Sequence, residues 1–304
     1  MELRHLRYFV AVAEEGHITR AAERLGMQQP PLSQQIKALE TELGVQLFRR
    51  KPRGVEMTEA GRCLLDDARA ILARVGQATE TARRAARGEQ GRLCVGVPPT
   101  GPFHPFVPGA IRAFREAFPL VSVTLDECLR TEAIERLQDG RMDVAFLRAS
   151  IPAPEGLVIH PLLEEPMAVA LPSAHSLALS GHGALSMKEL AGETFIVYAR
   201  QHGPAIYEAL LAACHRAGFS PRLGQEAPRV TSALGLVAAG FGVSLVPASM
   251  RRMGMEGVAY LQLKGAAQPT VALTVASRRA DPSPVVRHFL RLVRQRAKDT
   301  DATS

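Results

Sequence analysis

Residues 16–50, GHITRAAERLGMQQPPLSQQIKALETELGVQLFRR, restrict this chain more than any other segment. Ile18, Ala21, Ala22 and Leu25 fall at helical spacing, and Gly26 ends that run because glycine tolerates a positive φ. A second helix is predicted to open at Gln29, Pro30 and Pro31, where proline loses nothing because first-turn amides lack helical partners. It continues through Leu32, Ile36, Leu39 and Leu43, a stripe that would face a small core. Gln29, Ser33, Gln34 and Lys37 are left on the exposed side. Such side chains can hydrogen-bond base edges and phosphates in a major groove. Two readings stay open on this pattern: a helix-turn-helix, or a helical hairpin that merely has a polar face.

The next segment favours the first. Arg49, Arg50, Lys51 and Arg53 place four positive charges in five residues, with Pro52 and Gly54 to shape a turn. That suits a two-stranded wing touching phosphates or the minor groove; the plainer alternative is a solvated basic turn. Leu3, Leu6, Phe9, Val10 and Ala13 predict an amphipathic helix that completes the small core.

Thr58 is placed to cap the following helix. No proline interrupts the chain from there to Gly88, and Leu64, Leu65, Ala68, Ile71, Leu72, Val75, Ala78, Ala82 and Ala85 recur at steps of mostly three and four. A rod of about 30 residues, roughly 45 Å long, cannot bury such a stripe by itself. It either pairs with a second chain or packs along its own domain. Gly88–Gly91 then marks a boundary, after which strand and helix patterns alternate: Leu93–Val97, Phe106–Ala117, Val121–Leu125, Thr131–Gln138 and Asp143–Leu147. A second alternating set runs through Met167–Leu171, Phe195–Tyr198, Ile206–Ala217, Val230–Ala239, Val243–Val246 and Val258–Leu263. Strand Thr270–Ala276 and helix Val285–Arg294 are expected to return to the first set. The alternation implies parallel sheet with right-handed crossovers.

The runs LRYFVAVAEEGHITRAAERL, QPPLSQQIKALETELGVQLFRR, GVEMTEAG and ALGLVAAGFGVSLVPAS together resemble the LysR-type transcriptional regulators. With GRMDVAFLR, the last of these looks most like the branch controlling benzoate, catechol and chlorocatechol breakdown. The resemblance implies an α/β fold class: an N-terminal winged helix-turn-helix (1–58), a linker and dimerisation helix (59–88), and a two-lobed α/β effector domain (89–304) like the periplasmic solute-binding proteins. Lobe I would comprise about 92–161 and 268–304, and lobe II about 162–267. It implies double-stranded DNA with a dyad-symmetric operator, a small anionic effector, RNA polymerase, and a homodimer or homotetramer as partners. DNA contacts would fall on Gln29, Pro30, Ser33, Gln34, Lys37 and Arg53, although the family often has arginine where this chain has Gln34.

For the effector, residues and resemblance meet at Arg148. It follows the strand Asp143–Leu147 directly, at the carboxyl end where ligands collect, and arginine can grip a carboxylate with two parallel hydrogen bonds. Asp143 or Glu127 could instead hold it as a structural partner. Thr100 and Gly101, and Val230 and Thr231, are read as lying at helix starts with free amides toward the cleft; Tyr198 and Ala199 complete the candidate set. The branch resembled uses an arginine at the place of Arg148 and a Ser/Thr at that of Thr100. It commonly has Thr/Ser where Arg130 stands.

The 304 residues, 46% apolar and 22% charged, allow about two domains and argue against disorder. The net charge of +7 is spread along the chain, so its useful part is local, at the wing. No apolar signal core follows Met1, which predicts a cytoplasmic protein. The uncharged run Val230–Met250 contains Gly235, Gly240, Gly242 and Pro247, and reads as helix-turn-strand rather than a membrane span. Cys63, Cys94, Cys128 and Cys214 form no CxxC pair, so reduced thiols are expected. The histidines match no metal pattern, and GxSxG, GxxxxGK[ST] and GxGxxG runs are absent. Neither catalysis, a cofactor nor a metal is therefore expected. A ligand-responsive transcription factor leads over a solute-binding module with a helical leader. Within the leading class, a redox sensor is the second mechanism; the peroxide-sensing branch places a cysteine pair where Ala199–Leu210 here has none.

Overall fold

Leu6, Phe9, Ala11 and Val12 lie on one face of the first helix, α1 (Leu3–Glu15), and are buried together. The computed structural model describes residues 1–148, 152–181, 183–200, 203–281 and 283–301, and its chain divides into two compact units, residues 1–84 and 85–304. In the first unit α2 (Ile18–Arg24) is capped by His17, whose ring nitrogen Nδ1 accepts from the Thr19 amide at 3.2 Å. Helix α3 (Gln29–Leu43) opens with both prolines in its first turn and buries Leu32, Ile36 and Leu39. Leu43 departs from the expected stripe and is 38% exposed, because the helix ends there and Leu47 closes the core instead.

A carboxylate links that helix to the wing. Glu40 Oε1 accepts the backbone amides of Leu47 and Phe48 at 2.7 and 3.0 Å. This sets the start of β1 (Phe48–Lys51), which pairs antiparallel with β2 (Gly54–Met57) around a tip of Pro52 and Arg53. Gly54 has φ 131°, and a Cβ there would fall 2.3 Å from the Gly16 carbonyl oxygen. That same oxygen accepts the Val55 amide at 2.9 Å, so glycine lets the wing close against the turn between α1 and α2. Thr58 caps the next helix as expected, its Oγ1 accepting from the Gly61 amide at 3.0 Å.

Helix α4 (Glu59–Arg87) is unbroken over 29 residues, about 43 Å. Its stripe divides. Ala68 is fully buried in the small core, and Leu64, Leu65 and Leu72 pack against it. Ile71 stays 40% exposed, and Ala78, Ala82 and Ala85 are exposed as well. The first half therefore packs along its own domain and the second half does not.

In the second unit β3 (Gln90–Val97), β4 (Leu120–Glu127) and β5 (Val144–Leu147) pair in parallel, with α5 (Phe106–Ala117) and α6 (Arg130–Gln138) as crossovers. The long strand β6 (Leu157–Pro172) then runs through both lobes. Its first part pairs antiparallel with β12 (Thr270–Arg278), its last part with β10 (Ser244–Pro247) and β11 (Val258–Lys264). The change of partner falls at Met167, whose amide donates to the Pro269 carbonyl at 2.9 Å. The order across the main sheet is β4-β3-β5-β12-β6-β11, ended by the short β7 (Ala184–Ser186). Between these strands lie the short α7 (Ser176–Leu179), β8 (Thr194–Tyr198), α8 (Pro204–Arg216), β9 (Arg222–Ala227) and α9 (Val230–Ala238); α10 (Pro284–Asp301) closes the chain. Parallel β8 and β9 form a separate ribbon.

Phe106, Phe114, Phe146 and Phe289 are in the core of the first lobe, to which α10 returns. A second core, containing Leu171, Phe195, Leu210, Leu234 and Met250, fills the other lobe. The uncharged run from Val230 folds as α9 followed by β10, and no helix among the described residues is long and apolar enough to cross a membrane.

Candidate functional site

Two surfaces gather the candidate residues, and they belong to different units. On α3, burial of Leu32, Ile36 and Leu39 turns Gln29, Pro30, Gln34 and Lys37 to solvent, with Ser33 half-buried beside them. Arg53 is exposed at the wing tip, next to exposed Arg49 and Arg50, while Lys51 is paired with Glu56 at 2.7 Å. The side chains of Gln29, Ser33, Gln34, Lys37 and Arg53 make no hydrogen bond or ion pair among the described residues. They are thus available to an external partner without first breaking an internal contact.

The second surface is a pocket between the lobes of the effector unit, about 480 Å³ of atom-free space with its mouth included. One wall is the turn after β3, with Pro98, Pro99 and Thr100. A second is the start of α6, with Cys128, Leu129 and Arg130; a third is the end of β5, with Leu147 and Arg148. The other lobe supplies Tyr198 and the start of α8, with Gly203, Pro204 and Ile206. Gly203 is required there: a Cβ would fall 1.9 Å from the Tyr198 ring. The lining is mostly apolar, with two guanidinium groups and two hydroxyls.

Not every sequence candidate reaches it. Thr100, Arg148 and Tyr198 line the pocket. Gly101 is buried in a 3₁₀ turn, and its amide donates to the Pro98 carbonyl rather than standing free. Ala199 is buried and its amide donates to Ala227. Val230 is buried in the second-lobe core, and Thr231 is exposed outside the pocket lining. The second lobe presents α8 to the pocket, whereas the sequence pattern points to α9. Its Gly-Pro start at Gly203 was the available signal.

Arg148 has a partner that sequence did not name. Asp143 accepts instead from the Cys94 amide and pairs with Arg278, and Glu127 faces Arg229. Arg148 is 9% exposed; its Nε donates to Thr100 Oγ1 at 3.3 Å, and its Nη1 lies 2.5 Å from Glu165 Oε2. The two are in direct ion-pair contact, and Nη2 is buried without a hydrogen-bond partner among the described residues. Glu165 is 4% exposed on β6, and its Oε1 accepts the Ser249 amide of the other lobe at 2.7 Å. His104 Nε2 is 3.7 Å from the same carboxylate, while its Nδ1 accepts from the Phe106 amide. Burial holds the His104 pKa below its ordinary value against the pull of Glu165, with Arg148 and Arg252 adding to the depression.

The remaining chemistry is quiet. Burial pushes the Cys128 and Cys214 thiols up to about 11, which keeps both protonated and unreactive near neutral pH. Among the described residues no cluster of His, Cys, Asp or Glu is placed to hold a metal ion. His182 and His202, which match no metal pattern in the sequence, lie outside the described residues. His175 caps α7 and approaches Glu193 at 3.3 Å.

Family models match both parts of the chain. Residues 3–62 match the model for the bacterial regulatory helix-turn-helix proteins of the lysR family, and residues 86–298 match the LysR substrate binding domain. The chain is 37% identical to the HTH-type transcriptional regulator AlsR of Bacillus subtilis (strain 168), over 99% of each protein. It is also 37% identical to the regulator CatR of Pseudomonas putida, over 98% of this chain and all of that one. Among solved structures, full-length CbnR complexed with its target DNA is 32% identical, with a TM-score of 0.86 over 98% of this chain and 100% of CbnR.

Removing one member of the buried pair should expose its cost. Glu165→Leu leaves Arg148 buried without a counter-charge and is expected to destabilise the second unit by about 3–5 kcal/mol, measured by urea denaturation. Pairing it with Arg148→Met should recover much of that loss. A single-variant loss below about 1 kcal/mol would mean that the pair is solvated.

Proposed function

This chain belongs to the LysR family of bacterial transcriptional regulators, and from that membership we propose that it answers to a small carboxylate received in the pocket between its two lobes. As a ligand-responsive DNA-binding regulator it needs an effector site, and one observation carries this assignment: a mostly apolar pocket lined by Arg130 and Arg148, with hydroxyls from Thr100 and Tyr198. Guanidinium groups recognise carboxylates, and the apolar walls accept a carbon skeleton. The catechol-branch resemblance points to an aromatic acid or a muconate-like dicarboxylate as the class to test first. Binding across both lobes would favour one inter-lobe arrangement over another and so bias the assembly on DNA. A thermal-shift screen of aromatic acids, muconates and amino acids tests this. A true effector at a hundredfold excess over its dissociation constant should stabilise the protein by about 2.7 kcal/mol. Stabilisation by amino acids and not by any carboxylic acid of the other two groups would overturn the class.

On the DNA side, Gln29, Ser33 and Gln34 are proposed to read base edges or flanking phosphates, with Pro30 against a thymine methyl. Lys37 and Arg53 would hold the backbone or the minor groove. Their lack of internal partners and the exposure of all but half-buried Ser33 support this reading, as does the CbnR structure, which holds its own target DNA. Each bidentate base contact would contribute about 1–3 kcal/mol of discrimination. Arg53→Ala should weaken all sequences alike and flatten the salt dependence, whereas Ser33→Ala should act on the operator alone. Unchanged operator affinity in both variants would remove the model.

Assembly is proposed to run through the linker, residues 59–88, whose exposed Ile71, Ala78, Ala82 and Ala85 call for a second copy of the chain. Such a homodimer, or a homotetramer built from it, would present paired α3 helices to a dyad-symmetric operator, with RNA polymerase as the further partner. Because Leu72 packs into its own domain, the test uses Ile71→Glu with Ala78→Glu. Light scattering should show a fall to lower mass; an unchanged mass would place the dimer contact elsewhere.

A further inference from the structure

The two arginines of the pocket are not equivalent. Arg148 is engaged before any ligand arrives: Glu165 lies 2.5 Å from its Nη1, both side chains are buried, and Glu165 is itself fastened to the Ser249 amide. Its positive charge is compensated. Arg130, at the first turn of α6, makes no ion pair or hydrogen bond among the described residues, and its Nε is buried without a partner. Most carboxylates near it in sequence or along the adjoining groove face other arginines. Asp126 and Glu132 pair with Arg136 at 3.2 and 2.6 Å, Glu127 faces Arg229, and Glu208 faces Arg200. Glu164, across an adjoining groove that Arg130 also lines, forms no ion pair with it.

We propose that Arg130, not Arg148, is the anion anchor of the pocket, and that its single uncompensated charge selects a compact monocarboxylate over a dicarboxylate. The inference rests on the reading that this pocket receives the effector. One carboxylate meets Arg130 at the start of α6, where first-turn amides and the helix dipole add to the attraction. The rest of the ligand then lies against Pro98, Pro99, Leu129, Leu147 and Ile206. A second carboxylate would meet those apolar groups, the hydroxyls of Thr100 and Tyr198, or the Nη2 of an arginine whose charge Glu165 already compensates, losing water without gaining a free counter-charge.

Calorimetry on the full chain at pH 7.5 tests this with benzoate and butyrate as monoanions, succinate and cis,cis-muconate as dianions, and benzamide as the uncharged control. At least one monoanion should bind tenfold or more tightly than either dianion, and benzoate tenfold more tightly than benzamide. Arg130→Gln should weaken the preferred monoanion at least thirtyfold, and Arg130→Lys should restore most of that loss. The double variant Arg148→Gln with Glu165→Gln removes the pair without leaving a buried charge, and should weaken binding far less than Arg130→Gln. If the double variant lost thirtyfold while Arg130→Gln kept its affinity, the anchor would be Arg148 and the inference would fall, with the pocket still the carboxylate site. Tighter binding of a dianion would overturn the monoanion selectivity. Absence of binding by all four carboxylates would remove the pocket's assignment along with the inference.

Discussion

A guanidinium and a carboxylate, both buried and 2.5 Å apart, sit close to where the two lobes exchange strands. Arg148 follows β5, Glu165 lies on β6 opposite Val271 of β12, and the Ser249 amide that holds Glu165 comes from the turn after β10. One side chain therefore registers a wall of the inter-lobe pocket, the strand common to both lobes and the second lobe against each other. Such a pair seldom stabilises more than an apolar substitute would, because desolvation offsets its attraction. Its contribution is positional: the apolar cores on either side fix what each lobe contains, and Glu165 fixes how the pocket wall meets them.

The helix-turn-helix was legible because its information is local. The spacing of Leu32, Ile36 and Leu39, the double proline and Gly26 each carry a rule that operates within a few residues. The parallel strands of the first lobe were legible for the same reason, being short apolar runs between helices. The first half of β6 was not. Pro161 and Pro166 interrupt it, Glu164 and Glu165 sit side by side in it, and the register with β12 shifts between Leu273 and Thr274, where the proline is absorbed. Strand β9 was missed because it is an edge strand in which Arg222, Gly224, Gln225 and Glu226 are all exposed and no alternation survives.

Within the site, sequence nominated the residues at strand ends and could not supply the company they keep. Arg148 was visible because it terminates an apolar strand. Its partner lies 17 positions away on a strand that the pattern hid, so the compensation of its charge could not be read. Arg130 stood out only as a departure from a resembled pattern, and its lack of an ion pair among the described residues is a property of the folded neighbourhood. The preference for α9 over α8 has a similar origin: both begin after a strand, and only packing decides which helix start faces the other lobe.

The shared strand also imposes an order on synthesis. Residues 167–264 carry the second lobe as one continuous stretch, apart from contacts of Phe103, Ala267 and Val271 with its core. The first lobe begins at β3 but stays open until β12 arrives to fill the gap between β5 and β6, and until α10 places Phe289 against Phe114 and Phe146. On a ribosome that delivers the chain from its N-terminus, the lobe begun first is completed last. Its apolar strand edges wait exposed while more than a hundred residues are made, and truncation near the C-terminus would strike a lobe whose first strand lies almost two hundred residues upstream.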